Sequence, residues 1–321
     1  MFKIKIYSNN KLWEEKKLLR YKKLGYGVLS VTDLEKSLDF YTNVAGMQFV
    51  ERDETSVYLR TSYDHHNMIL EQGPEAGLKR VAFELEKAEQ FDDAFKYLQE
   101  QGLNPVELSA EECQKLAQGR TLRFKDPVIG LTHEIYADIM QMGLPYTSAN
   151  GLEIECLLHI VYETPQFNEY YDFFVNKLNF AVSDTAGRET SWAWLRCFPN
   201  PYHHSFAITE GPNNILNHIA FKAKTVDDIG KQVNNLKEKN VPILFGPGRH
   251  HPSGSIFLYF ADPDGITVEY SQGMEEFPEE GAREPRRLEP SLHTLDEWGG
   301  SPQPGFGKYG KLLAEEAETV K

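Results

Sequence analysis

The 321-residue chain is poor in cysteine, with only Cys113, Cys156 and Cys197. Three thiols cannot all pair, and no two stand at metal-motif spacing. Neither a disulfide framework nor a cysteine-built metal site is expected, and reduced thiols are the plain reading. No apolar run approaches the roughly 20 residues that cross a bilayer. The first residues, MFKIKIYSNNKLWEEKK, lack the continuous apolar segment of a secretory signal. Positive charge is also scarce: 34 Lys and Arg face 48 Asp and Glu, a formal net charge of −14. Nucleic-acid binders usually carry a basic face, so that class is excluded. Together these absences predict a cytoplasmic protein with no membrane or nucleic-acid partner.

What is present is a doubled pattern, and the length allows two domains of about 150 residues. KLGYGVLSVTDLEKSLDFY, from Lys23, and LLHIVYETPQFNEYYDFF, from Leu157, both read as a strand followed by an amphipathic helix. Thr32 and Glu35 fit an S/T-x-x-E capping box, after which Leu34, Leu38 and Tyr41 recur at helical spacing. In the second copy Thr164 is the expected cap, with Pro165 at the first helical position. Downstream, YDHHNMIL (Tyr63–Leu70) echoes YHHSFAI (Tyr202–Ile208), LKRVAFEL (Leu78–Leu85) echoes LNHIAFKA (Leu216–Ala223), and THEIYAD (Thr132–Asp138) echoes TVEYSQG (Thr267–Gly273). The interval from His66 to Arg80 equals that from His204 to His218, 14 residues. Further helices are expected over Ala88–Gln101 and Val226–Lys239. Each half thus reads as a pair of strand–helix–strand–strand–strand modules, an α+β protein of four modules. The expected divisions are an extension over 1–21, domains over 22–145 and 146–277, and a polar tail over 278–321. The boundary falls near the turn-rich stretch Met142–Gly151.

His159, His218 and Glu269 occupy equivalent places in these modules, each within an apolar strand-like run. Two imidazoles and one carboxylate can hold one face of an iron or manganese ion and leave the other positions open. Glu269, between Val268 and Tyr270, needs a cation or a hydrogen-bond partner if it is buried. In the first half the matching residues are Tyr26, Arg80 and Glu134, a poor set for a divalent metal. In GPGRHHPSGSIFLYFADPDGITVEY, His250 follows a Gly-rich turn, Tyr259 comes nine residues later and Glu269 ten after that. WLRCFPNPYHHSFAI adds His204.

With these motifs the chain resembles the type I extradiol ring-cleaving dioxygenases of the vicinal oxygen chelate superfamily, over about residues 22–277. The resemblance implies two domains, each with a curved mixed sheet around a cavity, of which the second holds the metal. It implies Fe(II) on His159, His218 and Glu269, with Mn(II) fitting the same ligands. The substrates it implies are a catechol and O2, the product a ring-opened muconic semialdehyde, and the assembly a homo-oligomer. His204 becomes the acid–base group, Tyr259 the donor to a substrate oxygen, and His250 the group that orients the substrate hydroxyl. Trp194, with Trp192 on the same strand face, either walls the pocket or fills the sheet. His203 is expected to point away from His204, towards solvent or into a supporting role. His65 and His66 are read as structural remnants or interface residues. The tail is left open between disorder and a cover over the mouth or a neighbouring subunit; in the second case Arg286 and Arg287 could meet an acidic substrate. The alternatives are another metal-dependent reaction of the same superfamily, an isomerisation or hydroxylation, and a non-catalytic small-molecule binder.

Overall fold

The computed structural model describes residues 19–187 and 191–315. The expected extension over 1–21 lies almost wholly outside the described residues, as does the end of the tail. Four modules follow one another. The first is β1 (Tyr21–Val31), α1 (Leu34–Asn43), β2 (Gln48–Arg52), β3 (Ser56–Arg60) and β4 (Met68–Gln72). The second is β5 (Gly77–Leu85), α2 (Phe91–Glu100), β6 (Val106–Glu107), a short α3 (Ala110–Lys115), β7 (Thr121–Lys125) and β8 (Thr132–Tyr136). The third is β9 (Ile154–Thr164), α4 (Phe167–Asp172), β10 (Phe180–Ala186), β11 (Trp192–Cys197) and β12 (Phe206–Glu210). The fourth is β13 (Ile215–Ala223), α5 (Val226–Glu238), β14 (Ile243–Arg249), β15 (Ile256–Ala261) and β16 (Thr267–Gln272). The tail adds β17 (Arg286–Leu288), α6 (Leu292–Leu295) and β18 (Gly310–Leu312).

The halves repeat in pairing as well as in order. In the first, β4 runs parallel to β1, β1 antiparallel to β5, and β5 parallel to β8. In the second, β12, β9, β13 and β16 stand in the same relations. Strands buried on both faces need continuous apolar runs, which is why LLHIVY and NHIAF read as they do. One face of each sheet packs under helices, burying Leu34, Phe40 and Tyr41 of α1, Phe91 and Leu98 of α2, and Ile229 and Leu236 of α5. The opposite face of the first half is filled by Tyr26, Val28, Tyr58, Ile69 and Tyr136. In the second half the corresponding face carries His159 and Val161 and opens into a cavity.

Two helix starts differ from the sequence reading. Asp33, not Thr32, caps α1, its carboxylate accepting from the Lys36 N–H at 3.0 Å. Thr32 instead bonds Asp264 through both its backbone N–H and its hydroxyl. In the third module the helix begins at Phe167 after Gln166, while the Thr164 hydroxyl accepts from the Gln166 N–H at 3.0 Å. The tail is folded as far as it is described. β17 lies parallel to β10, and β18 pairs with both β13 and β5, joining the sheets of the two halves.

Candidate metal centre and active-site cavity

The register places the three ligand candidates together. His159 on β9 and Glu269 on β16 both stand opposite Ala220 of β13. His218 lies on β13 itself, just past a shift in register between Leu216 and His218. The extra residue of that bulge is Asn217, and bulges commonly re-aim the next side chain. Asn217 Oδ1 lies 2.7 Å from His218 Nδ1, so it accepts that N–H and leaves Nε2 as the free electron pair.

His159 Nε2 lies 2.8 Å from Glu269 Oε2 and 3.1 Å from His218 Nε2, and His218 Nε2 lies 3.1 Å from Glu269 Oε2. All three side chains are buried. Ligands at roughly 2.0–2.2 Å from one ion and at right angles stand about 3 Å apart, so this triangle has the size of one coordination face. The second oxygen, Glu269 Oε1, has no hydrogen-bond partner, and His250 Nε2, at 3.8 Å, is out of reach. Burial alone would raise the Glu269 pKa, but the flanking imidazoles reverse this and hold it well below the usual carboxylate range. A buried carboxylate facing two imidazole nitrogens fits a divalent cation.

His159 and His218 of the triad line a cavity of about 430 Å³, within the usual range for a small-molecule site. His204 also lines it, with its ring centroid 4.2 Å from that of His159. Burial, followed by the neighbouring His159 and His203, keeps the His204 pKa well below its usual value. Tyr259 faces Glu269 directly across the β15–β16 ladder, which accounts for their ten-residue separation around the intervening turn. Its hydroxyl lies 2.8 Å from His250 Nε2, and burial raises its pKa well above 10, so it stays a neutral donor. His250 Nδ1 donates to the Leu295 carbonyl at 2.6 Å. Trp192 and Trp194 both line the cavity, their rings edge to face at 6.1 Å.

The profile of the Glyoxalase/Bleomycin resistance protein/Dioxygenase superfamily matches this sequence twice, over residues 23–135 and 157–270. The chain belongs to that superfamily. A manganese-dependent 2,3-dihydroxybiphenyl 1,2-dioxygenase of Geobacillus genomosp. 3 is 25% identical over 261 residues, covering 75% of this chain and 81% of the relative. Among solved structures, the Mn(II)-bound glyoxalase from Novosphingobium aromaticivorans has a TM-score of 0.81 at 27% identity, over 94% of this chain and 99% of that one. Homoprotocatechuate 2,3-dioxygenase from Brevibacterium fuscum, in an anaerobic complex with 3,4-dihydroxyphenylacetate, has a TM-score of 0.79 at 27% identity, over 90% and 92% of the two chains.

In this superfamily member the two matched halves differ at the ligand positions. Tyr26 and Glu134 both stand opposite Ala82, and Arg80 stands opposite Val28, as His218 does opposite Val161. Tyr26 hydrogen-bonds Glu134, and the Arg123 Nε donates to Glu134 at 2.8 Å. The first half therefore fills its equivalent site with a phenol and a guanidinium. His65 and His66 are buried there, with Nδ1 atoms 3.2 Å apart.

His203 is fully buried and supports His204. The pair precedes β12, so strand alternation does not apply to it. His203 Nε2 lies 2.8 Å from Asp184 Oδ2, and His203 Nδ1 lies 3.0 Å from His204 Nδ1. Burial alone would raise the Asp184 pKa, but hydrogen bonds from His203, Arg286 and Arg283 hold it well below the usual range. An ionised Asp184 accepts the His203 Nε2–H. The bare Nδ1 of a neutral His203 then accepts the His204 Nδ1–H, which leaves His204 Nε2 as a base. Sequence reasoning missed Asp184 and Asn217. Asn217 carried a signal, its place beside His218, but Asp184 carried none.

The same cluster corrects the reading of the tail arginines. Arg286 Nη2 lies 2.6 Å from Asp184 Oδ2, and Arg287 donates to the Gly187 carbonyl at 2.8 and 2.9 Å. Neither lines the cavity. The tail covers it with Thr294, Leu295, Pro302, Gln303, Pro304 and Phe306. Asp184→Asn takes the charge partner from His203 and from two guanidiniums, of which Arg283 keeps Glu275 at 2.6 Å, and should cost about 2–3 kcal/mol at neutral pH. That is less than the roughly 3–5 of a broken fully buried pair, because both arginines keep some solvent contact. A lowered carboxyl pKa stabilises above the ordinary value of about 3.9. The gap between Asp184→Asn and the parent, read from urea midpoints, should therefore shrink as the pH falls below about 4.

Proposed function

We propose that the protein is an extradiol catechol dioxygenase, opening the ring of a catechol with an apolar substituent by O2 at a single Fe(II) or Mn(II) on His159, His218 and Glu269. The observation that carries this reading is the triangle of Nε2, Nε2 and Oε2 atoms, 2.8 to 3.1 Å on each side, facing a cavity that His204 and Tyr259 also line. When bound, the metal supplies Lewis acidity and open positions at which the catechol and oxygen meet. His204 Nε2 takes a proton from a substrate hydroxyl and returns it later in the reaction, with the His203–Asp184 chain steadying the charged ring. The Leu295 carbonyl holds His250 in one ring orientation, and on substrate binding the single Tyr259 O–H turns from His250 Nε2 to a substrate oxygen. The product is of the ring-opened muconic semialdehyde class.

The lining supports the apolar substituent. Trp192, Trp194, Val161, Ile208, Phe245 and Phe306 surround the space beyond the triad. Lys308 is the one lysine or arginine among the described lining residues, and it stands 3.8 Å from Glu163. A carboxylate on the substrate would meet no unmatched cation there. Burial of an aryl group in such a wall contributes roughly 1.5–3 kcal/mol, about 10- to 100-fold in kcat/KM. 2,3-Dihydroxybiphenyl should therefore exceed 3,4-dihydroxyphenylacetate by that factor in steady-state assays, and a preference for the carboxylate would refute the apolar reading.

A second reading, isomerisation at the same metal, has the glyoxalase among the similar structures in its favour. His204, with its chain to Asp184, is a proton-transfer device aimed at a hydroxyl and favours ring cleavage. The free state of all three cysteines fits a reducing, cytoplasmic setting. No helix among the described residues is long and apolar enough to cross a membrane.

A further inference from the structure

Outside the cavity, one other set of described side chains is arranged as metal ligands. His251 lies in the turn after β14, His293 on α6, and Glu297 just beyond α6. Each offers one ligand atom, and these atoms all lie within 4.8 Å of one another. His251 Nδ1 is already 2.7 Å from Glu297 Oε1, and the rings of His251 and His293 are 5.3 Å apart at 38°. His293 and Glu297 are exposed and His251 is half-buried, so an ion has direct access from solvent.

The backbone around the set is held in place. The Glu297 N–H donates to the Arg249 carbonyl at 2.8 Å. The Asp296 carboxylate accepts from the N–H groups of Arg249, Trp298 and Gly300 at 2.7 to 2.9 Å. The Ser291 hydroxyl caps α6 by accepting from the Thr294 N–H. Two imidazoles and a carboxylate with an open side suit a borderline-soft ion such as Zn2+, whereas Ca2+ and Mg2+ prefer oxygen ligands.

We infer that His251, His293 and Glu297 form a second, surface site for a divalent transition-metal ion of the zinc class, which clamps the C-terminal segment onto the turn that carries His250. One ligand comes from that turn and two from the tail. Between the two tail ligands lie Thr294 and Leu295, which line the cavity, and Leu295 also supplies the carbonyl bonded to His250. An ion at the surface therefore fixes the stretch of tail that closes the cavity and sets the orientation of His250. The site does not depend on which reaction the cavity performs.

The test titrates the metal-free full chain with Zn2+ stoichiometric for two sites, with Glu269→Ala in parallel so that filling of the triad is told apart, and counts the metal per chain. Amide hydrogen exchange over residues 291–300 is followed in the same samples. The expected result is two metals per parent chain, one per Glu269→Ala chain, and slower exchange in that segment with zinc. His293→Ala and Glu297→Gln should each lower zinc affinity at the surface site by more than the roughly 10- to 100-fold typical of an outer-shell change, and leave the triad's metal and the zinc-free melting temperature as in the parent. One metal per parent chain at stoichiometric zinc would overturn the proposal, as would a second equivalent that His293→Ala binds as tightly as the parent.

Discussion

Glu269→Ala should fold, hold no iron or manganese at the triad and lose turnover. The carboxylate is fully buried; His159 and His218 hold its Oε2, while Oε1 has no hydrogen-bond partner and is left for a cation. Mn(II) should raise the melting temperature of the parent and leave that of the variant unchanged, whereas loss of a purely structural glutamate would lower the metal-free melting temperature without abolishing that rise. Activity should fall by about 10³-fold or more, since a catalytic metal supplies several kcal/mol to the transition state and each 1.4 kcal/mol is tenfold. Metal analysis and oxygen uptake on one preparation check both parts. A variant that kept its metal would remove Glu269 from the ligand set.

His204→Phe separates proton transfer from binding. Phenylalanine can keep the contact with the His159 ring, which lies 4.2 Å away between centroids, but it offers no nitrogen. Metal content and catechol affinity should match the parent, while kcat falls by about 10²- to 10⁴-fold, the usual worth of a positioned acid–base group. Stability should also drop by about 1–3 kcal/mol, because His203 Nδ1 loses its partner in a buried setting. Unchanged kcat would assign the proton transfer elsewhere. A joint loss of metal would mean that His204 supports the triad rather than the substrate.

The repeat was legible because strand–helix alternation and the 14-residue interval recur in both halves, and pairing register turns that recurrence into spatial equivalence. The equivalent places of His159, His218 and Glu269 in the repeat point to one cluster, and the structure brings their ligand atoms together; His204, His250 and Tyr259 are singled out through the family resemblance, and they line the same cavity. Other features depended on long-range meetings that local pattern does not encode. Thr32 fits a cap in sequence, yet Asp264, 232 residues away, takes its hydroxyl, and Asp33 does the capping. Asp184 lies 19 residues before His203, on β10, and only the folded tail brings Arg283 and Arg286 to it. The tail itself has strands of three residues and a helix of four, too short to show any period. It nevertheless supplies six residues of the cavity cover named above and the carbonyl that orients His250.

Ring cleavage is read out by oxygen uptake and product absorbance followed in one cuvette. The protein is reconstituted anaerobically with Fe(II), and in parallel with Mn(II), then mixed with 2,3-dihydroxybiphenyl in aerated buffer. Stoichiometric consumption of O2 with a yellow ring-opened product is expected for at least one metal, and neither signal for Glu269→Ala. Full metal occupancy with no oxygen uptake on this or any other catechol would contradict ring cleavage and move the site to the isomerase reading.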